Sequence, residues 1–292
     1  MEPKVYIDGK IYSKEDAKIS VYDHGLLYGD GVFEGIRVYS GRIFRFKQHI
    51  DRLYQSAAGI NLAIPVSRQV LEQAIVDTVR AAGFRDAYIR LVATRGIGDL
   101  GLDPKKCKKG SVIIIVDTIQ LYGEKLYQEG IPIVTAATRR IAPDMISQKV
   151  KSLNYLNSIM AKMEGNLAGM PEVLMLDSNG FVCECSADNI FIITDGQLVT
   201  PSPEFPFLNG ITRAVVLEIA RRKGLVVREE PMTRQDIFNA DECFLTGTGA
   251  ELMPVIALDG RKIGDGKPGP VTAMLLKEFR SLHAREGEDL FA

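Results

Sequence analysis

Two short segments carry the residue types that could hold an oxygen-rich group. In Leu208-Asn209-Gly210-Ile211-Thr212-Arg213 a turn runs straight into a segment of helical apolar spacing. Free backbone N–H groups, the positive end of the helix dipole and a threonine hydroxyl would then converge on one spot, which makes a natural phosphate pocket. The same residues would equally serve an ordinary helix start capped by Asn209 or Thr212. In Thr246-Gly247-Thr248-Gly249-Ala250 the glycines follow a strand signal at 242–245. They either let backbone amides approach a ligand closely or simply end the strand in a turn. Hydrolase chemistry is poorly served: the histidines are His24, His49 and His283, and no serine or cysteine sits in a nucleophile elbow. The glycines Gly29, Gly31 and Gly35 fit neither a Walker loop nor a dinucleotide fingerprint. Cys183 and Cys185 would share one face of a strand with no second ligand pair at metal-site spacing. With Cys107 and Cys243 they read as buried or inert thiols, and no metal site is expected.

Holding such loops in place requires a scaffold, and the apolar spacing predicts one of mixed strand and helix. Segments 5–7 and 10–12 around Asp8-Gly9 read as a hairpin, as do 31–39 and 42–44 around Ser40-Gly41. Helical spacing covers 46–58 and 67–82, the latter with Val70, Leu71, Ala74, Ile75 and Val79 on one side and Gly83 as its stop. Segment 87–94 alternates, with Ala87, Ile89, Leu91 and Ala93 facing the core and Tyr88 and Arg90 facing elsewhere. A strand at 111–118 completes a small N-terminal domain over 1–118, followed by an interdomain loop at 119–129. The large C-terminal domain, 130–292, is expected to hold strands at 132–139, 173–176 and 190–194. Its helices are expected at 152–167, 212–223 and 270–283, with Leu153, Leu156, Met160, Met163 and Leu167 as a buried stripe on the first. The fold class is α+β in two domains, without internal repeats.

Read in order, the chain contains His24-Gly-x-x-Tyr28-Gly-Asp-Gly-Val-Phe33-Glu-Gly35-Ile-Arg37, His49-Ile-Asp-Arg52-Leu, Tyr88-Ile-Arg90 and Lys151-Ser-Leu-Asn-Tyr155. Glu184-Cys-Ser-Ala-Asp-Asn189-Ile-Phe191, Leu208-Asn-Gly-Ile-Thr212-Arg and Gly247-Thr248-x-x-Glu251 follow. Together these motifs resemble the fold-type IV pyridoxal-phosphate enzymes, the branched-chain-amino-acid aminotransferase family, over nearly the whole chain. The resemblance implies the two-domain, D-amino acid aminotransferase-like form of that fold, with pyridoxal 5'-phosphate as cofactor.

It also implies roles for the matching positions. Lys151 would form the Schiff base with the cofactor aldehyde and shuttle a proton, which needs a primary amine that can be neutral when it attacks. Glu184 would keep the pyridine nitrogen protonated so that the ring accepts electrons. Arg52, Ile211, Thr212 and Thr248 would hold the phosphate, bringing the two oxygen-binding turns to one ligand, with the arginine adding a bidentate charge clamp. Tyr155 would reach the phenolic oxygen and Leu208 would pack on the ring. Strand alternation places Phe33, Gly35 and Arg37 on one face and Tyr88 with Arg90 on another, and the two could line one substrate pocket. In branched-chain members an apolar wall accepts the side chain, while Tyr28, Tyr88 and the Thr248-Gly249 amides orient the carboxylate. Gly249 stands where alanine is common, Leu91 where many relatives have proline, and Thr94-Arg95-Gly96 is also similar to the D-amino acid aminotransferases.

The 36 basic and 37 acidic residues nearly cancel, so no overall field would draw the chain to nucleic acid or an anionic membrane. No basic-then-apolar leader opens the sequence and no apolar run is long enough to span a bilayer, so a cytoplasmic location is expected. The expected activity is transfer of an amino group between leucine, isoleucine or valine and 2-oxoglutarate in a ping-pong cycle, by a homodimer or higher assembly. The loop 96–103 would reach the partner's pocket. D-amino acid aminotransferase and aminodeoxychorismate lyase are the alternatives on the same scaffold. A protein that binds a phosphorylated ligand without turnover is the non-enzyme alternative, and it would have no use for Lys151 or Glu184.

Overall fold

In the computed structural model, residues 1–119 and 122–292 are described. The chain divides into two compact units, Met1–Ile119 with Val150–Asn154 and His283–Ala292, and Gln120–Lys149 with Tyr155–Leu282.

The first unit is built on an antiparallel sheet. Its elements are β1 (Lys4–Ile7), β2 (Lys10–Ser13), α1 (His24–Tyr28), β3 (Gly31–Tyr39), β4 (Arg42–Ile43), α2 (Phe46–Gly59), α3 (Arg68–Ala82), β5 (Ala87–Thr94) and β6 (Ser111–Asp117). The strand order is β2-β1-β6-β5-β3-β4. Both expected hairpins form, and their turns carry the positive φ that tight connections need, at Asp8 and Gly9 and at Ser40 and Gly41. Ser67 caps α3 through its hydroxyl and Gly83 ends it in the left-handed conformation. Leu71, Ala74, Ile75 and Val79 of that helix are buried, joined to Ile50, Leu53, Ile36, Ile89, Leu91 and Ile114 in one core. Val70, expected on the same stripe, is exposed.

The second unit contains α4 (Glu124–Glu129), β7 (Ile131–Thr135), α5 (Leu156–Leu167), β8 (Glu172–Leu176), β9 (Val182–Cys185), β10 (Asn189–Thr194), β11 (Gln197–Pro201) and α6 (Ile211–Arg222). It continues with β12 (Val227–Glu230), α7 (Arg234–Phe238), β13 (Glu242–Gly247), β14 (Glu251–Leu258), β15 (Arg261–Lys262) and α8 (Pro270–His283). The sheet order is β12-β11-β10-β13-β14-β7-β8-β9, with β15 on the side of β14. Ile133, Leu174, Ile190, Ile192, Leu245, Met253 and Val255 form its interior.

Several expectations are corrected. Of the expected connector 119–129, Gln120 and Leu121 lie outside the described residues, and Glu124–Glu129 is helical, with an acidic first turn suited to the helix dipole. The helix expected from 152 starts at Leu156, because the preceding turn is drawn into the first unit. There Ser152 bridges Val32, the Leu153 N–H donates to the Gly31 carbonyl and Val150 packs against the core. On α5 the expected buried stripe is outward: Leu156, Met160, Met163 and Leu167 are exposed, and Ala161 and Gly165 are the buried positions. A Cβ on Gly165 would lie 2.5 Å from Val173 Cγ1, so small residues let the helix lie close on β8 and turn its larger side chains away from the sheet.

Candidate active site

In the first unit, Lys151 is fixed by its backbone. Its N–H donates to Ser56 Oγ of α2 at 3.0 Å, and its carbonyl accepts from the Phe33 N–H of β3 at 2.9 Å. The side chain passes over Phe33, with Nζ 4.5 Å from the ring centroid. The Arg90 guanidinium also lies over that ring, at 4.5 Å, and over Tyr88 at 5.7 Å. Register explains the cluster: Gly35 pairs with Arg90 and Arg37 with Tyr88 across the β3–β5 ladder. The two predicted faces are therefore one sheet surface. Gly35 gives Tyr88 its place on it, because a Cβ there would fall 1.9 Å from Tyr88 Oη and displace that ring. Arg37 stands over Tyr39 at 4.7 Å, and its buried Nε has no hydrogen-bond partner among the described residues. A donor left in that condition suits an incoming carboxylate. Tyr28 closes α1 and donates its hydroxyl to the Leu100 carbonyl at 2.5 Å.

Arg52 is buried on α2, and Nε and Nη2 donate to Glu34 Oε1 and Oε2 at 2.6 and 2.8 Å. His49 Nδ1 faces Glu34 Oε2 at 2.7 Å. Burial pushes the Glu34 carboxyl up, but the charge and hydrogen bonds of Arg52, with those of His49, outweigh it and hold it at about 2. For His49, burial pushes the imidazole down from its ordinary value despite Glu34.

In the second unit, Glu184 of β9 is buried and forms an ion pair with Arg140, Nε to Oε1 at 3.1 Å. Arg140 is anchored in turn by the Cys185 carbonyl at 2.6 Å and Ser158 Oγ at 2.8 Å. The other Glu184 oxygen accepts from the Leu208 N–H at 3.2 Å and from Asn189 Nδ2 at 3.4 Å. Asn189 also donates to the Leu208 carbonyl at 2.8 Å, so carboxylate and turn are tied together. From that turn α6 begins at Gly210 with no side-chain cap, and Ile211 and Thr212 are buried in its first turn. The N-cap position falls on Gly210 and on neither Asn209 nor Thr212, and a helix of this length that opens at a glycine suits a phosphate. Thr248 and Gly249 lie in the turn between β13 and β14. A Cβ on Gly247 would sit 1.8 Å from Asp188 Oδ1, so a side chain there would push the Asp188 carboxylate aside. Tyr155 is the residue just before α5. Among the described residues no group of side chains could hold a metal ion.

The first unit thus carries Lys151, Arg52, Tyr28, Phe33, Gly35, Arg37, Tyr88 and Arg90, and the second carries Tyr155, Glu184, Leu208, Ile211, Thr212, Thr248 and Gly249. Taken by itself, the second unit offers a buried carboxylate and a helix opening at glycine that suit the ring nitrogen and phosphate of pyridoxal phosphate, and the first unit offers an amine beside an aromatic wall that suits its aldehyde. Sequence reasoning gave no role to Glu34, His49, Arg140 or Asn189. Glu34 had a signal, a charge at an apolar position of an alternating strand, whereas Arg140 has none within its own neighbourhood.

The family described as amino-transferase class IV matches residues 31–258. A Methanocaldococcus jannaschii protein provisionally named a branched-chain-amino-acid aminotransferase is 48% identical over 285 residues, covering 97% of this chain and 98% of its own. The solved Escherichia coli branched-chain amino acid aminotransferase superposes with a TM-score of 0.94 at 34% identity, over 98% of this chain and 96% of that one. The branched-chain amino acid aminotransferase of T.th., solved with pyridoxamine 5'-phosphate, gives 0.92 at 37% identity over 96% and 94%. That protein has also been solved with N-(5'-phosphopyridoxyl)-L-glutamate.

Proposed function

This chain belongs to the class IV aminotransferases, and from that premise we propose that it exchanges amino groups between leucine, isoleucine or valine and 2-oxoglutarate. Its cofactor is pyridoxal 5'-phosphate. When bound, that cofactor supplies a carbonyl carbon that carries the amino group through two half-reactions, and a ring that takes up electrons.

Lys151 provides the amine that joins the cofactor and moves the proton at the substrate Cα. Its close aromatic neighbour Phe33 and its backbone anchors at Ser56 and Phe33 restrict where Nζ can go. Glu184 would hold the proton on the ring nitrogen, and Arg140 fixes that carboxylate by an ion pair on Oε1. Arg52, the α6 amides at Ile211 and Thr212, and Thr248 bind the phosphate, while Tyr155 donates to the phenolic oxygen and Leu208 packs on the ring. Phe33, Gly35 and Tyr88 form the wall for an aliphatic side chain. Tyr28, Arg37, Arg90 and the Thr248-Gly249 amides orient carboxylates, including the second one of glutamate.

A single observation supports the substrate reading above the others. The Lys151 amine and the aromatic wall of Phe33 and Tyr88 stand on one sheet surface, with cationic donors Arg37 and Arg90 beside them. An apolar 2-oxo acid and an acidic one can then be served by the same strands. Steady-state assays with L-leucine, D-alanine and aminodeoxychorismate as amino donors test it. L-leucine is expected to be turned over with 2-oxoglutarate, and activity confined to the other two would reject the assignment.

The working form is a homodimer at least. Val21, Tyr22, Leu26, Ile97, Leu100 and Leu102 are exposed around α1 and the loop that bonds to it. Exposed apolar residues gathered on one helix and the loop bonded to it are what a second copy of the chain would cover. The cytoplasm is its compartment, a reading supported by four free cysteines. No described helix is long and apolar enough to cross a membrane.

A further inference from the structure

Strand β3 carries a charge where its alternation demands an apolar residue. Val32, Glu34, Ile36 and Val38 occupy alternate positions, and all four are 0% exposed. An unpaired carboxylate in that row would be strongly unfavourable, so its partners must be strong. Both come from α2, where His49 and Arg52 are three residues apart and therefore share a helix face. Arg52 gives one N–H to each carboxylate oxygen, from Nε at 2.6 Å and Nη2 at 2.8 Å. His49 faces Oε2 from behind at 2.7 Å, and because Glu34 holds its proton so weakly, the shared hydrogen belongs to the imidazole, which donates it. The trio thus holds one cation, one anion and one neutral ring, and this is how an arginine can remain 8% exposed.

We propose that Glu34, with His49 behind it, is a positioning residue that sets the plane of the Arg52 guanidinium, so that Arg52 recognises the cofactor phosphate by fixed geometry more than by net positive charge. The inference rests on the reading of Arg52 as a phosphate ligand. A guanidinium is a rigid planar fork, so clamping Nε and Nη2 on one carboxylate fixes the direction of every other N–H it carries. Nothing about the side chain then needs to be ordered when phosphate arrives, and preorganisation of that kind appears directly as affinity. His49 completes the device by keeping the carboxylate from rotating out of the guanidinium plane.

The test compares pyridoxal 5'-phosphate with pyridoxal, which lacks the phosphate, by titrating the full-length enzyme stripped of cofactor and following absorbance. Glu34→Gln is expected to weaken pyridoxal 5'-phosphate by about tenfold or more, the scale of a lost charge-assisted fork, while pyridoxal binding changes by less than about twofold. The 31P resonance of the bound phosphate is expected to move in that variant. His49→Asn, which keeps a donor near the Nδ1 position, should retain most of the affinity, and His49→Phe should lose part of it, again only for the phosphorylated ligand. Arg52→Gln serves as the reference, and Glu34→Gln added to it should cause no further phosphate-specific loss. Equal losses for both ligands in Glu34→Gln, beside a phosphate-specific loss in Arg52→Gln, would overturn the positioning role and leave Arg52 a ligand. An Arg52→Gln enzyme without phosphate selectivity would instead reject the reading of Arg52 itself. Should Glu34→Gln fail to fold, His49→Phe carries the same comparison, and an unselective loss there overturns the proposal.

Discussion

Glu184 shows what a single side chain needs in order to do one job. It is buried, and its two oxygens are occupied on one side by Arg140 and on the other by the Leu208 N–H and Asn189. Replacing it with glutamine keeps size and shape but removes the charge. Glu184→Gln is therefore expected to keep its cofactor, seen by absorbance, while turnover falls on the order of a hundredfold or more; near-normal rates would contradict the electron-uptake role. Glu34 and His49 predict a pH effect of definite sign. The Glu34 carboxyl is held at about 2 against an ordinary 4.5, so its contribution is full above 4.5 and is lost as pH falls toward 2. The His49 imidazole is pushed below its ordinary 6.5, so acid favours the unfolded chain, which binds that proton more readily, once pH drops below 6.5. Melting temperature should therefore fall steadily on going from pH 7 to pH 4, and His49→Asn should flatten the upper part of the curve. A wild-type melting temperature that rises with acid would contradict this. Of these residues, Glu184 was legible only through its motif, since its four-residue strand is too short to show the apolar alternation that marks Glu34. Arg140 was not legible at all, because its partners are brought to it by β9 and α5, away from it in the chain.

At the scale of elements, two glycines hold the clusters together. Gly35 leaves room for Tyr88, and Gly210 leaves room for Asn189, whose Oδ1 would be 2.0 Å from an added Cβ. Asn189 is tied to both Glu184 and Leu208, so a shift there disturbs the carboxylate and the turn before α6 together. Gly210→Ala is expected to cost about 1–3 kcal/mol of stability from overpacking and to weaken cofactor binding, read by melting and absorbance titration. An alanine variant with wild-type values in both would show that the turn tolerates the change. Local signals made most elements readable: Asp8-Gly9 and Ser40-Gly41 set hairpins through their backbone angles, and Ser67 and Gly83 bounded a helix. The start of α5 failed because residues 150–154 obey β3 and not their own helical spacing. Its outward stripe failed for another reason. Periodicity identifies an apolar face but not which of two faces meets the sheet, and here the small residues Ala161 and Gly165 take that side.

For the whole molecule, the exposed apolar residues of α1, its neighbouring loop and α5 argue for assembly. Light scattering of the purified enzyme is expected to give at least twice the 32.2 kDa of one chain, and a monomer active at assay concentration would contradict the dimer. On the proposed mechanism, covalent capture of the cofactor would depend on one amine, Lys151, carried by the first unit. Its two backbone anchors, to Ser56 and Phe33, hold it beside the aromatic wall. Borohydride reduction of the holoenzyme followed by peptide mapping tests this most directly. A pyridoxyl group on Lys151 is the predicted result, and a label on another lysine, or none, would contradict it.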